Sequence, residues 1–355
     1  MKMCNFITQG EAYMKFSLCM IVKNEERVLA RCLDSLKDVM DEIIIVDTGS
    51  SDRTRRIAAE YTDLIYDFAW VDDFSAARNF AFSKATGDYI YSADADEYLD
   101  EENQAKLKQL KQVLLEEVEM VQMIYVTGQA NHPTENFERD YRPKLFKRLR
   151  TFTWIDPIHE VVNIHPVVYD SEIEIIHAPY GNHSGRDFRV FERALEKQGR
   201  LSNRLLGMYV RELYKAGTLE DLAHAADYLE TSLQELSSEK SELLRQIVAV
   251  LLRFYRQKDE PVKLLKLALR EEATVPSAEI CIELGYYFLA KKEHEEAFMW
   301  FYRAAFECEC DLDIASKGTQ ALQSLALCCR KMNREQEAAG YEQLAADWKP
   351  ETLGI

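Results

Sequence analysis

The sequence predicts an α/β domain built on a mostly parallel sheet, followed by an all-helical domain. From Phe16 to about His183, short apolar runs alternate with amphipathic segments. The runs are apolar without interruption, as in strands covered on both faces, and strand–helix alternation favours parallel pairing. After Arg186 the pattern turns almost wholly helical. Domains are therefore expected at 15–185 and 186–350.

The elements follow in order. Ser17 to Val22 reads as a buried strand, and Asn24-Glu25-Glu26 opens a helix reaching about Asp38. Glu42 to Asp47 is a second strand and Arg53 to Glu60 a second helix. Leu64 to Asp67, Phe74 to Ala85 and Asp88 to Ser92 continue as strand, helix and strand. Ligands of such sheets bind beyond the carboxyl ends of the strands, where Asp47 and Asp94 both fall. One crevice is expected to hold both. Alternating Lys144, Phe146 and Arg148 are read as a strand with one charged and one apolar face. In the second half, Leu284, Gly285, Phe288, Ala297, Phe301 and Ala304 fit tetratricopeptide spacing of small and large residues. Leu325, Ala326, Cys329, Ala338, Ala345 and Pro350 form a second copy, with an insertion between the two. Leu219 to Ala273 is helical and amphipathic but does not fit the repeat.

The bulk composition excludes several classes. At 355 residues, 47% hydrophobic and 30% charged, the chain is long and apolar enough for two folded domains. A net charge of −17 argues against broad nucleic-acid binding. No apolar run approaches the roughly 20 residues that cross a bilayer, and Met1 to Tyr13 lacks the blocks of a signal peptide. Met14-Lys15-Phe16 is a plausible start, with the preceding residues a loose extension. The eight cysteines show no paired Cys-x2-Cys spacing for zinc, so reduced core thiols and a cytoplasmic location are expected.

Two motifs carry chemistry. Tyr89 to Glu97 is an apolar run ending on Asp94-Ala95-Asp96-Glu97, and carboxylates at a strand tip suit a hard cation that shares its shell with phosphates and water. Val46-Asp47-Thr48-Gly49-Ser50-Ser51-Asp52-Arg53-Thr54 places a carboxylate at a strand end, before a tight polar loop. Gly49 lets backbone approach a ligand closely, and Ser51 or Asp52 is placed to cap the next helix.

With Ser17 to Glu25 before them and Ala77-Arg78-Asn79 between them, these motifs occur in an order that resembles the family-two inverting glycosyltransferases. The resemblance covers about Lys15 to Asp100. It runs on more loosely through Arg142 to Arg148 and Ile158-His159-Glu160. Combined with tetratricopeptide-like helices, it resembles the bacterial peptide S- and O-glycosyltransferases of glycocin pathways. The resemblance implies a GT-A fold and a UDP-sugar donor, with Mg2+ or Mn2+ as cofactor and a peptide or protein side chain as acceptor. Asp47 would read the nucleobase, Asp52 would support that loop or the nucleoside, Arg78 would contact the base or diphosphate, Asp94 the ribose and Asp96 the metal.

An inverting transfer needs a base for the acceptor proton, and Glu160 is the candidate, with Asp156 and Glu97 as alternatives. The commoner acidic pair of the processive members is missing, which argues against a polymerase. His159, His177 and His183 are candidates for a late metal ligand, with His177 best placed behind the strand Ile173 to Ile176. Arg139, Arg142, Lys144, Lys147, Arg148 and Arg150 form a basic island that is either solvated or directed at diphosphate or acceptor. The competing readings are a cell-envelope saccharide or lipid-linked acceptor, and a tetratricopeptide adaptor with a silent nucleotide-binding domain. The helical half is also a candidate surface for homo-oligomer formation.

Overall fold

The protein was analysed as a computed structural model that describes residues 14–127, 139–162, 166–180, 184–236, 241–271 and 276–349. The described residues divide into two compact units, one ending at 180 and the other starting at 184.

The first unit is an eight-stranded sheet. Its strands are β1 (Phe16–Val22), β2 (Glu42–Asp47), β3 (Ile65–Asp67), β4 (Tyr89–Ala93), β5 (Glu97–Tyr98), β6 (Met120–Thr127), β7 (Arg139–Lys147) and β10 (Val168–His177). They lie in the order β3-β2-β1-β4-β7-β6-β10-β5. β8 (Trp154–Ile155) and β9 (Val161–Val162) form a separate ribbon. The half from β3 to β4 is wholly parallel, and β6 also pairs in parallel with β10. β7 runs antiparallel to both its neighbours, as does β5 to β10. The sheet is thus mostly parallel, with reversals in the half where sequence alternation was weakest.

Both faces are covered, which explains the uninterrupted apolar strands. On one side α1 (Leu29–Leu36) and α4 (Glu101–Val113) bring Leu29, Leu33, Leu36, Leu107 and Leu110 onto Phe16, Leu18, Met20 and Tyr91. On the other, α3 (Phe74–Phe82) sets Ala81 against Cys19, Ile44, Val46 and Ile90. The expected helix from Asn24 begins only at Leu29. Asn24 holds φ 57°, and its side-chain oxygen accepts from the Ser51 amide at 2.8 Å, so the turn is tied to the next loop instead. α2 (Thr54–Ala58) is shorter than expected at both ends.

The strand expectation for the basic island needs correction. Lys144, Phe146 and Arg148 are two residues apart and would share a face in a regular strand. In β7 both Leu145 and Phe146 are fully buried, so neither face is solvated there. β6 pairs Val121 with Leu145 and Gln122 with Pro143, which leaves Lys144 as an extra, bulged residue.

The second unit is helical: α5 (Ser184–Gln198), α6 (Asn203–Ala216), α7 (Leu219–Glu235), α8 (Ser241–Gln257), α9 (Pro261–Glu271), α10 (Ala278–Ala290), α11 (His294–Phe306), α12 (Thr319–Lys331) and α13 (Glu335–Asp347). The hairpins α10–α11 and α12–α13 share one core containing Cys281, Ile282, Ala297, Phe301, Ala304, Leu325, Cys328 and Ala345. Pro350 and His183 lie outside the described residues. The described cysteines are all unpaired thiols, buried except for half-buried Cys310. Among the described residues no helix is long and apolar enough to cross a membrane.

Gly285 shows why the small–large spacing matters. A Cβ there would sit 2.5 Å from the Phe301 ring, and Phe301 is fully buried. Gly285→Ala is expected to destabilise the protein by about 1–3 kcal/mol through overpacking. Urea denaturation followed by circular dichroism checks this, and an unchanged midpoint would refute the packing argument.

Candidate functional site

Parallel pairing sets the frame. Val22 pairs with Asp47, and Met20 with Ala93, so the carboxyl ends of β1, β2 and β4 lie on one edge of the sheet. Asp47 and the Asp94 turn flank β1, about 10 Å apart at two strand spacings.

The loops after β1 and β2 are laced together. Asp47 is buried, and its Oδ1 accepts from the Gly49 and Ser50 amides at 3.0 and 2.8 Å. That closes a turn in which Gly49 holds φ 102°, a conformation costly for any residue with a Cβ. Asp47 Oδ2 faces Arg55, 4.0 Å away. Asp52 accepts from the Thr54 amide at 2.9 Å with Oδ1 and from the Glu26 amide at 3.2 Å with Oδ2. Asp52 therefore supports the loop with both oxygens. The Glu25 amide donates to Thr54 Oγ1 at 2.7 Å, which joins Asn24-Glu25-Glu26 to the second motif.

At the end of β4 a buried cation organises three acidic or polar groups. Arg78, on α3, has a side chain only 13% exposed. Its Nε donates to Glu160, its Nη1 to Ser92 Oγ at 3.0 Å and its Nη2 to Asp94 Oδ1 at 2.8 Å. Its guanidinium also lies 5.3 Å from the Trp154 ring centre. The neighbouring Asn79 is bonded both ways to the Trp154 backbone, which anchors β8 to α3. Ala77-Arg78-Asn79 thus acts as a unit: Ala77 packs, Arg78 gathers charge and Asn79 holds the segment leading to Glu160. Burial opposes the Arg78 charge, but Asp94 and Glu160 outweigh it and raise its pKa. Burial pushes Asp94 up, yet Arg78 and Lys144 hold it well below the usual carboxylate range. Asp94 is ionised across the physiological pH range.

The turn Asp94 to Glu97 is fastened at several points. The Glu97 amide donates to the Asp94 carbonyl at 3.2 Å, and the Asp94 amide donates to Glu97 Oε2 at 3.1 Å. Arg31 donates to the Asp96 and Ala178 carbonyls, at 3.3 and 2.9 Å. The Ala178 amide donates to the Asp96 carbonyl at 3.0 Å, which brings the end of β10 to the turn. His177 Nε2 then stands 3.1 Å from Asp96 Oδ2. His177 Nδ1 is buried with no hydrogen-bond partner. His159 is exposed, on the ribbon loop with φ 48°.

Asp96 and His177 suit a shared cation. Adjacent ligands of an octahedral ion with bonds of about 2.1 Å lie about 3.0 Å apart, close to the observed separation. Among the described residues no group of three or more His, Cys, Asp or Glu side chains could hold a metal. A cation here would take two protein ligands and leave the rest of its shell for phosphate oxygens and water, as Mg2+ usually does.

Several participants escaped the sequence reading. Glu97, an alternative base there, is buried with both carboxylate oxygens engaged, Oε1 by Lys144 Nζ at 2.5 Å and Oε2 by the Asp94 amide at 3.1 Å, which disfavours it for that role, whereas the Arg78 bond uses only Oε1 of Glu160. Burial raises its pKa, with Lys144 pulling the other way. Arg31 carried no sequence signal, and Ser92 and Trp154 were seen only as parts of the strand motif and the basic island, without their roles around Arg78. The basic island does not act as one patch. Lys147 donates to the Glu116 carbonyl, Arg148 to the Gly87 carbonyl at 2.5 Å, and Arg150 pairs with Glu119 at 2.9 Å. Arg142 lies 3.7 Å over the Tyr125 ring.

Similarity to known proteins is found in the first part of the chain. Residues 17–164 match the family model described as Glycosyl transferase family 2. A TPR repeat-containing protein of Synechococcus elongatus is 46% identical over 143 residues, covering 37% of this chain and 36% of the relative. The SPbeta prophage-derived glycosyltransferase SunS of Bacillus subtilis is 34% identical over 125 residues, 34% of this chain and 30% of the relative. The chain thus spans about a third of the length of these curated relatives. Among solved structures, glucosyl-3-phosphoglycerate synthase from Mycobacterium tuberculosis, in complex with Mn2+ and UDP-glucose, is similar. It has 12% identity and a TM-score of 0.37, over 53% of this chain and 80% of the other. S. aureus TarS 1–349 has 13% identity and a TM-score of 0.37 over 93% and 90% of the two chains. Residues 17–164 form a glycosyl transferase family 2 domain.

Proposed function

We propose that the protein is a metal-dependent inverting glycosyltransferase that moves a sugar from a UDP-sugar to a Ser, Thr or Cys side chain of a peptide or protein. The observation that carries this reading is the buried Arg78, which joins Asp94 at the tip of β4 to Glu160 in the loop between β8 and β9. A donor-binding carboxylate and a candidate base are thereby linked through one cation. The match of about a third of the chain to the glycosyltransferase SunS supports sugar transfer, and the peptide acceptor rests on the resemblance of the sequence motifs to glycocin-type glycosyltransferases.

In this reading Asp47 reads the base, with Asp52 holding its loop, and Asp94 bonds the ribose. Asp96 and His177 would hold Mg2+ or Mn2+, which would supply positive charge against the negative charge of the leaving diphosphate. Arg78 adds its fixed positive charge at the same edge while keeping Asp94 and Glu160 in place. Glu160 accepts the acceptor proton as the new bond to the sugar carbon forms on the face opposite the leaving group. The donor chemistry belongs to a domain at 15–185. Acceptor choice belongs to the tetratricopeptide-like domain at 186–350, which is also the proposed surface for self-association. The unpaired thiols accord with a cytoplasmic setting.

Asp96→Ala is expected to abolish sugar transfer and Mn2+-dependent UDP binding while the protein stays folded. Calorimetry with UDP, with and without Mn2+, reads this directly, and unaltered transfer by the variant would dismiss the metal role.

Asp47→Asn keeps an acceptor for the Gly49 and Ser50 amides but removes the charge. UDP should bind about 1–3 kcal/mol more weakly, the range for a hydrogen bond to a charged group. Unchanged affinity in titration calorimetry would end the base-reading role.

Glu160→Gln should lower kcat steeply, by about 10²–10⁴-fold, with UDP affinity near that of wild type. UDP release from a panel of UDP-sugars, with and without candidate peptides, is the assay. A near-normal kcat would require a different base, and peptide-independent release as the sole activity would count against a peptide acceptor.

A further inference from the structure

The geometry points to Lys144 as a positioning residue that sets the Asp94–Asp96 turn through Glu97, an inference that rests on the donor-site reading above. Three independent features converge on it.

The first is backbone. Lys144 is the extra residue of a bulge in β7, between the pairs Val121–Leu145 and Gln122–Pro143. Bulges re-aim side chains and are frequent beside active sites. Here the bulge frees Lys144 from the alternation of its strand, and its ammonium reaches Glu97 at 2.5 Å.

The second is burial. Lys144 is 6% exposed and Glu97 2% exposed. An ion pair this deep is weak evidence of stabilisation, because desolvating both charges offsets their attraction and apolar replacements often do as well. Stability alone therefore gives little reason to keep it.

The third is connection. Glu97 uses one oxygen for Lys144 and the other for the Asp94 amide, while its own amide donates to the Asp94 carbonyl. Glu97 is also the register partner of His177 across β5 and β10. The Lys144 ammonium lies 5.6 Å from the Tyr125 ring, and that ring packs 5.1 Å from the ring of His177. Lys144 thus meets the supports of both proposed metal holders, Asp96 and His177, without reaching either.

The test uses the full-length chain with Lys144→Met, Lys144→Arg and the charge-free double variant Lys144→Met/Glu97→Met. Mn2+ binding is followed by electron paramagnetic resonance, Mn2+-dependent UDP affinity by calorimetry, and stability by urea denaturation. Lys144→Met strands a buried carboxylate and is expected to lose stability. The double variant should recover it, yet bind Mn2+–UDP about 10–100-fold more weakly than wild type, the usual loss when support for a metal ligand is removed. Lys144→Arg, which keeps the charge, should retain more affinity than the double variant. Wild-type Mn2+–UDP affinity in the folded double variant would overturn the proposal and leave the pair a purely structural one. Should Asp96→Ala also bind Mn2+–UDP normally, the donor-site reading itself would fail, a result distinct from failure of the Lys144 role alone.

Discussion

The buried guanidinium of Arg78 is the constraint on which the candidate site depends. A buried cation is tolerated only when it is paired and its donors are used. Arg78 meets both conditions, with Ser92, Asp94 and Glu160 as its acceptors. These three come from the end of β4 and from the loop between β8 and β9, more than sixty residues further along the chain. Removing either carboxylate leaves charge uncompensated, and removing Ser92 leaves a buried donor unused, so the cluster holds α3, β4 and the ribbon loop in one arrangement. Asn79 reinforces this by bonding the Trp154 backbone in both directions.

A second lattice of bonds shapes the other half of the same sheet edge. There the acceptors are carboxylates and an amide oxygen, and the donors are backbone N–H groups of the neighbouring loop. Asn24, Asp47 and Asp52 together receive the amides of Ser51, Gly49, Ser50, Thr54 and Glu26. Such turns place their polar groups with little side-chain freedom. Preorganisation of this kind is what electrostatic stabilisation of a developing charge requires. The cost is local backbone strain at Asn24, at positive φ, whereas Gly49 adopts its positive φ without a Cβ to clash.

The helical unit follows different rules. Its helices are joined by packing of small residues against large ones, as Gly285 against Phe301 shows, and by buried carboxylates in α10. Glu283 receives Arg253 and Arg256 at 2.8 and 2.7 Å. Glu279 accepts the backbone amides of Asp311, Leu312 and Asp313 and so ties the segment before α12 to α10. These charges are internal fasteners and lie outside the proposed transfer chemistry.

The parallel strands, the covering helices and the residues of the two motifs were legible in the sequence because each depends on local pattern. Uninterrupted apolar runs mark doubly covered strands, and a carboxylate at the end of such a run must emerge at the sheet edge. The reversed strands were harder to read. β7 mixes Arg, Pro, Lys and apolar residues, and its bulge breaks the period-two rhythm by which a strand is recognised. The basic residues around it read as a patch, although Arg142, Lys144, Lys147, Arg148 and Arg150 have separate partners. By itself the sequence determined which carboxylates end the buried strands and so stand as candidates for a nucleotide sugar and a cation, since residue chemistry and strand ends are local properties. Only the tertiary structure decided that Arg78 joins Asp94 to Glu160, that His177 stands beside Asp96, and that Glu97 is locked to Lys144. Those pairings arise from crossovers and register between distant strands, where burial forces each charge to find a partner that no local pattern names.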